Sequence, residues 1–510
     1  MVISPHHVLA ALVLVVVVVL LKPIVNPLRH VRGPWLARFS DVWYLRQLSR
    51  GSFEQENQKL HQTYGPIVRY GPNRYSICEP SAAKTIYGHG TQFAKSTWYS
   101  SWATPGSWSL FPDQDIKRHA HGRSLFQSTY SMTALVSYEP FVDECGTLFC
   151  QRLQEVAERG EPVDMRHWFQ CYAFDVIGLI TFGNRFGFLD RGEDVGSLIQ
   201  ALDGHLYYAT LVGLLPSLHP LLYKIRNLWA GSKGSGRGYL LNFTLEQIAH
   251  HRAGADAMLE KEATGDTDEA RTEPFLSKFL AKHAENPEKF SHQHIVASCV
   301  SNIVAGSDTT AISLSAILYY LLKNPTCLQS LRAEIDEFQS RGQLSNYPSF
   351  KETQQMTYLQ ATIKEALRMH PATGLPLERV VPRDGIEIAG RHFPKGAIVG
   401  INTWVEHRNP AYFGQDADQF RPERWLTKDT EELSRMNQHW MPFGLGSRTC
   451  IGRHISMLEI TKVIPRIVRD FDFELSPSAA RQEATWSTQN LWFVKPTDFI
   501  VRVKARGKAP

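Results

Sequence analysis

Phe443-Gly-Leu-Gly446-Ser-Arg448-Thr-Cys450-Ile-Gly452 stands near the C-terminus of this 510-residue chain. The run sets an aromatic ring, glycines, an arginine and a cysteine at fixed spacing. Average usage is a few per cent per residue type, so five fixed positions in register would arise by chance in a chain this long with probability on the order of 10⁻⁴. The ordinary alternative is a packed cysteine in a glycine-rich turn.

Each position suits a loop that holds haem iron through a thiolate. A cysteine thiolate pushes electron density onto the iron and favours O–O cleavage. Such a thiolate needs an electropositive setting, which a helix N-terminus supplies. The residues after Cys450 carry apolar side chains at helical spacing, which predicts a helix opening there. Gly446 and Gly452 allow tight backbone geometry and close approach to a porphyrin. Arg448 can fork onto a propionate, and Phe443 can shield the sulfur from water.

Working outward, Ala305-Gly306-Ser307-Asp308-Thr309-Thr310 lies inside an apolar stretch from Ile295 to Leu322 that closes at Asn324-Pro325. The pattern predicts a helix stopped by that proline. A mid-helix glycine costs about 1 kcal/mol relative to alanine, so something must approach Gly306 closely. Asp308 and Thr309 add an acid and a hydroxyl; the alternative is a buried helix whose hydroxyls bond back to the preceding turn. Between this stretch and the cysteine lie Glu365-Ala-Leu-Arg368, whose charges share one helix face, and Phe420-Arg-Pro-Glu-Arg424-Trp425.

Taken in this order, from about Gly33 to Val503, these motifs resemble the cytochrome P-450 family of haem-thiolate monooxygenases. The resemblance implies a mainly α fold with a small β-rich lobe, preceded by one N-terminal transmembrane helix. It implies haem b as cofactor with Cys450 as axial ligand of the iron. It assigns dioxygen handling to Thr309 and proton supply to Asp308. Glu365, Arg368 and Arg424 become a buried structural triad. Arg123, in His119-Ala-His-Gly-Arg123, and Arg379 join Arg448 at the propionates; His119 stands where the family has tryptophan, which leaves its role open.

The same fold would line a substrate pocket with Trp102, Trp108, Val304, Ala305, Leu375, Trp492 and Phe493, an apolar surface suited to a small lipophilic molecule. Val68-Arg-Tyr-Gly-Pro-Asn73 and Asn490-Leu-Trp-Phe-Val-Lys495 resemble the fungal secondary-metabolism branch, pisatin-demethylase-like members included. That likeness implies oxidative tailoring of a terpenoid, polyketide or alkaloid. Gly231-Ser-Lys-Gly-Ser-Gly-Arg-Gly238 lacks the ending of a phosphate loop and is read as a mobile loop.

Hydrophobic content of 43% is ordinary for a globular protein, and a net charge of +5 is too weak for a nucleic-acid partner. The chain has no room for a fused flavin domain. Electrons would come from NADPH through NADPH–cytochrome P-450 reductase, with cytochrome b5 as a second candidate donor. Arg448, Arg453, Lys117 and Arg118 offer a basic docking face for such a partner. The seven cysteines show no zinc or redox spacing, which fits a reducing compartment.

Val8 to Leu21 is uninterrupted apolar sequence, so residues 1–22 are expected to anchor the chain in a lipid bilayer. A cleaved signal peptide, the alternative, would carry a positive leading segment that is missing here. Lys22, Arg29, Arg32 and Arg38 follow the run and would hold the rest in the cytosol. The expected organisation is an anchor over 1–22, a proline-rich tether over 23–34, and a monooxygenase domain over 35–510 in a single-pass protein of the endoplasmic reticulum. Rival functions are a haem-thiolate isomerase or dehydratase that uses no dioxygen, which would typically depart from the Asp308-Thr309 pair, and a non-catalytic membrane haem sensor or carrier.

Overall fold

The computed structural model describes residue 7 and residues 25–231, 234–262, 272–477 and 486–507. The expected membrane anchor thus lies outside the described residues, residue 7 excepted. Helix dominates, because long stretches of the chain carry apolar side chains at helical spacing. The helices around the site are α1 (Ile116–Gln127), α2 (Met165–Phe182), α3 (Leu198–Val212), α4 (His219–Trp229), α5 (Arg237–Glu262), α6 (His292–Lys323), α7 (Thr357–Met369) and α8 (Arg453–Asp470).

Helix α6 is the axis of the molecule. Its sequence is apolar on nearly every face, and the fold buries nearly every face. It starts one turn earlier than the apolar run, because Ser291 and His294 form a capping box at its N-terminus. It stops at Asn324, whose φ of −128° and ψ of 78° are what the following proline permits. Among the described residues, α6 is the helix long and apolar enough to cross a membrane; 72% of its apolar window is buried, so it is a core helix. Helix α2, buried along almost its whole length, packs beside it. A Cβ on Gly306 would stand 2.9 Å from Cγ1 of Ile177, so the close neighbour anticipated for that glycine is α2.

The described strands form four small sheets: β1 (Ile67–Gly71), β2 (Arg74–Ile77), β3 (Ala94–Lys95), β4 (Val163–Asp164), β5 (Arg379–Val380), β6 (Ile386–Ile388), β7 (Arg391–Phe393), β8 (Ile398–Gly400), β9 (Phe471–Leu475), β10 (Thr488–Leu491), β11 (Phe493–Pro496) and β12 (Ile500–Ala505). The largest sheet has the order β1-β2-β8-β5-β3, with only β2 and β8 parallel. Its last pairing sets Lys95 directly opposite Arg379. The β10–β11 hairpin turns tightly at Trp492, whose φ of 76° is uncommon for a residue with a side chain. The architecture is mainly helical with small sheets, as the motif order implies.

Candidate active site

The quoted loop closes on itself. The Cys450 amide donates to the Phe443 carbonyl at 2.8 Å, and Gly444 and Gly446 take φ of 69° and 63°. Gly446 has no alternative: a Cβ there would lie 1.7 Å from the Tyr87 carbonyl oxygen. Helix α8 opens at Arg453 with Gly452 as N-cap, three residues later than the apolar spacing suggests. The displacement puts the thiol just ahead of the first turn instead of within it. Burial pushes the Cys450 thiol up, while the amides of Gly452 and Arg453 and the charge of Arg123 pull it down. The thiol is open to the interior of a cavity of about 310 Å³.

Helix α6 forms one wall of that cavity through Val304, Ala305, Gly306 and Thr309. The Thr309 hydroxyl donates to the Ala305 carbonyl at 2.7 Å, the back-bonded arrangement weighed above. Its proton is thereby committed, and its lone pairs remain for a donor in the cavity. Asp308 is not in the wall. Its Oδ1 accepts from Gln170 Nε2 of α2 at 2.5 Å, and its Oδ2 lies 2.6 Å from Lys495 Nζ of β11. Each residue turns a helix by about 100°, and here the step from Thr309 carries Asp308 to the face packed against α2 and the β10–β11 hairpin.

The rim opposite α6 is cationic. Lys95, Arg123, Arg379 and Arg448 all line the cavity, and no Asp or Glu does among the described residues. Arg123 donates to the Thr449 carbonyl at 2.8 Å, Arg379 to the Glu378 carbonyl at 2.9 Å, and Arg448 Nη1 to the Asp113 carbonyl at 2.6 Å. Arg448 Nη2 is buried without a partner. Burial and then the Arg379 charge lower Arg448 to about 10. Burial, then Arg448, Lys95 and Arg123, lower His119 to about 3, so its ring is neutral. Asp113, the nearby acid, is committed to Arg118 and to Trp108 Nε1. Burial, then the Arg379 and Arg448 charges, push Lys95 well below its ordinary value; crowded cations repel, so a rim of this composition calls for anions. Haem b carries two propionates, and the open thiol supplies a ligand for its iron; the residues fit that cofactor.

A family model for cytochrome P-450 matches residues 34–499. The chain belongs to the cytochrome P-450 family. It is 38% identical over 486 residues to a pisatin demethylase of Fusarium vanettenii, across 94% of this chain and 91% of that protein. It is 35% identical over 477 residues to a cytochrome P-450 monooxygenase of Aspergillus terreus, across 92% and 95% of the two chains. It is 34% identical over 491 residues to the cytochrome P-450 monooxygenase gsfF of Penicillium aethiopicum, across 94% of each. These relatives make it a cytochrome P-450 monooxygenase.

Outside the cavity, this cytochrome P-450 holds its Glu-x-x-Arg charges in a closed knot. Glu365 receives Arg368 through both carboxylate oxygens at 2.8 Å, Arg424 Nε at 2.8 Å, Trp425 Nε1 at 2.9 Å and the Arg421 amide at 2.9 Å. Arg368 and Arg424 spend their remaining donors on carbonyls of residues 407–419, and Arg424 Nη1 also reaches the Asp416 carboxylate at 3.1 Å. Burial alone would raise the Glu365 carboxyl; Arg368 and Arg424 outweigh it and hold the group below the usual range.

The substrate side is aromatic. Trp102, Trp108, Trp492 and Phe493 reach the cavity with Phe443 beneath them. Leu375 does not. It is buried in the main core, and Thr373 and Leu377 on either side line the cavity in its place, because the stretch before β5 has no regular strand alternation. Three functional candidates escaped the motif reading. Lys95 sits in a strand of two residues and gains its meaning only from Arg379 opposite. Lys495 was quoted within the tail, but its partner Asp308 is far away in sequence. Arg237 also lines the cavity, at the end of the glycine cluster read above as a mobile loop.

Proposed function

We propose that this cytochrome P-450 inserts one oxygen atom from dioxygen into a C–H or related bond of a small lipophilic molecule of fungal secondary metabolism. The observation that carries the reading is a single cavity that joins the open Cys450 thiol, the Thr309 hydroxyl and an aromatic lining. Haem b, held by Cys450 and by Arg123, Arg379 and Arg448, supplies dioxygen activation when bound. His119, neutral among those arginines, can donate an N–H to a propionate where the family has tryptophan. With its proton given to the Ala305 carbonyl, Thr309 can accept a hydrogen bond from a proton donor on the cavity side. Asp308 lies behind the wall, and any proton it passes must first leave the Lys495 pair. Trp102, Trp108, Trp492 and Phe493 exclude water and hold an apolar substrate.

Electrons come from NADPH through a separate reductase, with cytochrome b5 as an auxiliary donor. Lys117, Arg118 and Arg453 are exposed beside the ligand loop and suit an acidic partner; Arg448 faces the cavity and does not belong to that surface. The protein sits in the endoplasmic reticulum membrane, anchored by residues 1–22 and tethered by 23–34, with the domain over 35–510 in the cytosol. Support comes from apolar side chains exposed close to the tether and on α4: Trp35 is 68% exposed, Leu228 69% and Trp229 89%.

The deciding experiment is the carbon monoxide difference spectrum of the reduced protein beside Cys450→Ser. A strongly red-shifted Soret band, lost in the variant, is expected. A histidine-type band in folded wild type would overturn the ligand assignment. Thr309→Ala then separates oxygen insertion from the isomerase and sensor readings: NADPH use continues, its electrons appear as peroxide, and product is lost. Unchanged product yield would remove Thr309 from the mechanism.

A further inference from the structure

The cluster Gly231 to Gly238 is built into the fold at its C-terminal end. Gly234 and Gly236 take φ of 70° and 52°. A Cβ on Gly236 would lie 3.3 Å from the backbone of His205 in α3, and one on Gly238 would lie 2.2 Å from Asn227 Oδ1 in α4. Asn227 accepts from the Ser235 amide, and Arg226 Nε donates to the Ser235 hydroxyl at 3.0 Å. The glycines let the chain pass between α3 and α4 at backbone contact. What the passage delivers is Arg237, at the start of α5 and in the wall of the main cavity.

Arg237 has no anionic partner. Its Nε is buried and bonded to nothing, and no carboxylate lies within ion-pair distance among the described residues. The groups that face it are basic or neutral: Arg226, His205, His219 and the phenol of Tyr223. Asp203, the acid nearest to His205 on α3, is committed to Lys495. Burial lowers Arg237 to about 10, which still leaves it charged at neutral pH, and burial holds His205 neutral. Behind the guanidinium is a hollow of about 10 Å³, room for one water at most. Arg237 is half-buried, and a cation drawn that far from water without a partner is costly; proteins normally pair it. The propionate rim is a separate group of charges: Arg448, Lys95 and Arg123 act on His119, whereas Arg237 acts on His205 and His219. Beside it, Trp102 Nε1 and His205 Nε2 are also buried without partners, and the two rings meet edge to face at 5.6 Å.

We propose that Arg237 receives a carboxylate of the substrate, so that the molecule oxidised here is an aromatic or polycyclic organic acid. The proposal rests on the reading of this cavity as a monooxygenase substrate site and narrows it. The acid end is held at the α3–α4–α5 side, and the carbon to be oxidised is presented toward Thr309 and Cys450.

The test uses the haem-loaded enzyme and matched probes: benzoic, 2-naphthoic and anthracene-2-carboxylic acid, each beside its primary amide. Binding is read from the Soret shift on titration and from the melting temperature. At least one acid is expected to bind about tenfold more tightly than its amide, the scale of one charge-assisted contact. Arg237→Gln should erase that preference and leave the amide affinity within about twofold; Arg237→Lys should keep part of it. Should Arg237→Gln fail to load haem, the wild-type comparison decides alone. Acids that bind no better than their amides, or a preference that survives Arg237→Gln, overturn the proposal. Inorganic phosphate that displaces the acid one for one would make Arg237 an inorganic-anion site and overturn the substrate class. Failure of the broader reading is separate, since it would show as a missing thiolate band in the carbon monoxide spectrum.

Discussion

Lys495 Nζ stands 2.6 Å from Asp308 Oδ2, and the pair is buried behind α6 with the Asp308 side chain 1% exposed. Lys495 also reaches Asp203 on α3, so one lysine of the β10–β11 hairpin ties the oxygen-side helix to the substrate-side helix. Burial pushes the Asp308 carboxyl up, and the lysine opposes it.

Lys495→Met therefore strands a buried carboxylate and should cost about 3–5 kcal/mol of stability. Asp308→Asn should cost clearly less, because Lys495 keeps Asp203 as partner. Urea denaturation of the two haem-loaded variants checks the asymmetry; equal losses would show that the Asp203 contact contributes nothing.

The Glu365 knot makes a prediction about charge against shape. Arg368→Leu should cost about 3–5 kcal/mol by exposing Glu365 to an incomplete set of partners. Arg368→Lys keeps the charge and loses the two-pronged contact together with the donors to the His407 and Ala417 carbonyls. It should recover little of the loss. The yield of haem-loaded protein relative to wild type reports both, and full recovery by lysine would mean that charge alone matters.

Two glycines of the ligand loop should behave oppositely. Gly446→Ala forces a Cβ to within 1.7 Å of the Tyr87 carbonyl at a φ of 63°, so the loop cannot form and the thiolate band should vanish. A Cβ on Gly452 would meet no protein atom within 4 Å, and its φ of −85° suits any residue. Gly452→Ala should fold normally, and any change in its haem spectrum would come from contact with the porphyrin. Circular dichroism and the carbon monoxide spectrum of the two variants separate these effects.

Acid should weaken the protein through two buried histidines. His370 places Nε2 on the Val494 carbonyl and Nδ1 toward Trp486 Nε1; His407 places Nδ1 on the Arg368 carbonyl and accepts the Met441 amide at Nε2. Each ring is thus fixed as a neutral tautomer. Burial lowers His370 to about 3 and His407 well below its ordinary value. The unfolded chain then takes up protons that the native state refuses, so stability present above about pH 6.5 is lost as the pH falls below it. The slope is up to about 1.4 kcal/mol per pH unit for each ring, or about 4 kcal/mol for the pair by about pH 5. Denaturation midpoints across that interval measure it, and a flat profile would contradict the assignment.

What was readable in the sequence is what is local. The Phe443–Gly452 loop, the limits of α6 and the Glu365–Arg368 spacing each depend on residues a few positions apart, and their geometry follows from the backbone. Direction across the molecule was not readable. Asp308 turns from the cavity because Lys495 waits on a distant hairpin, and Lys95 matters because a two-residue strand brings it to Arg379. Leu375 faces the core because its stretch lacks alternation. The glycine cluster looked loose because glycine permits both a slack chain and a close passage; only the positions of His205 and Asn227 distinguish them.

The opposition of Lys95 and Arg379 across β3 and β5 bears on how this chain matures. Burial and the Arg379 charge push the Lys95 ammonium well below its ordinary value, so an anion bound beside this edge would favour the closed, paired form. Any molecule that binds the closed form and not the open one raises its population by mass action. Haem supply would then shift newly made polypeptide toward the form in which this edge is complete.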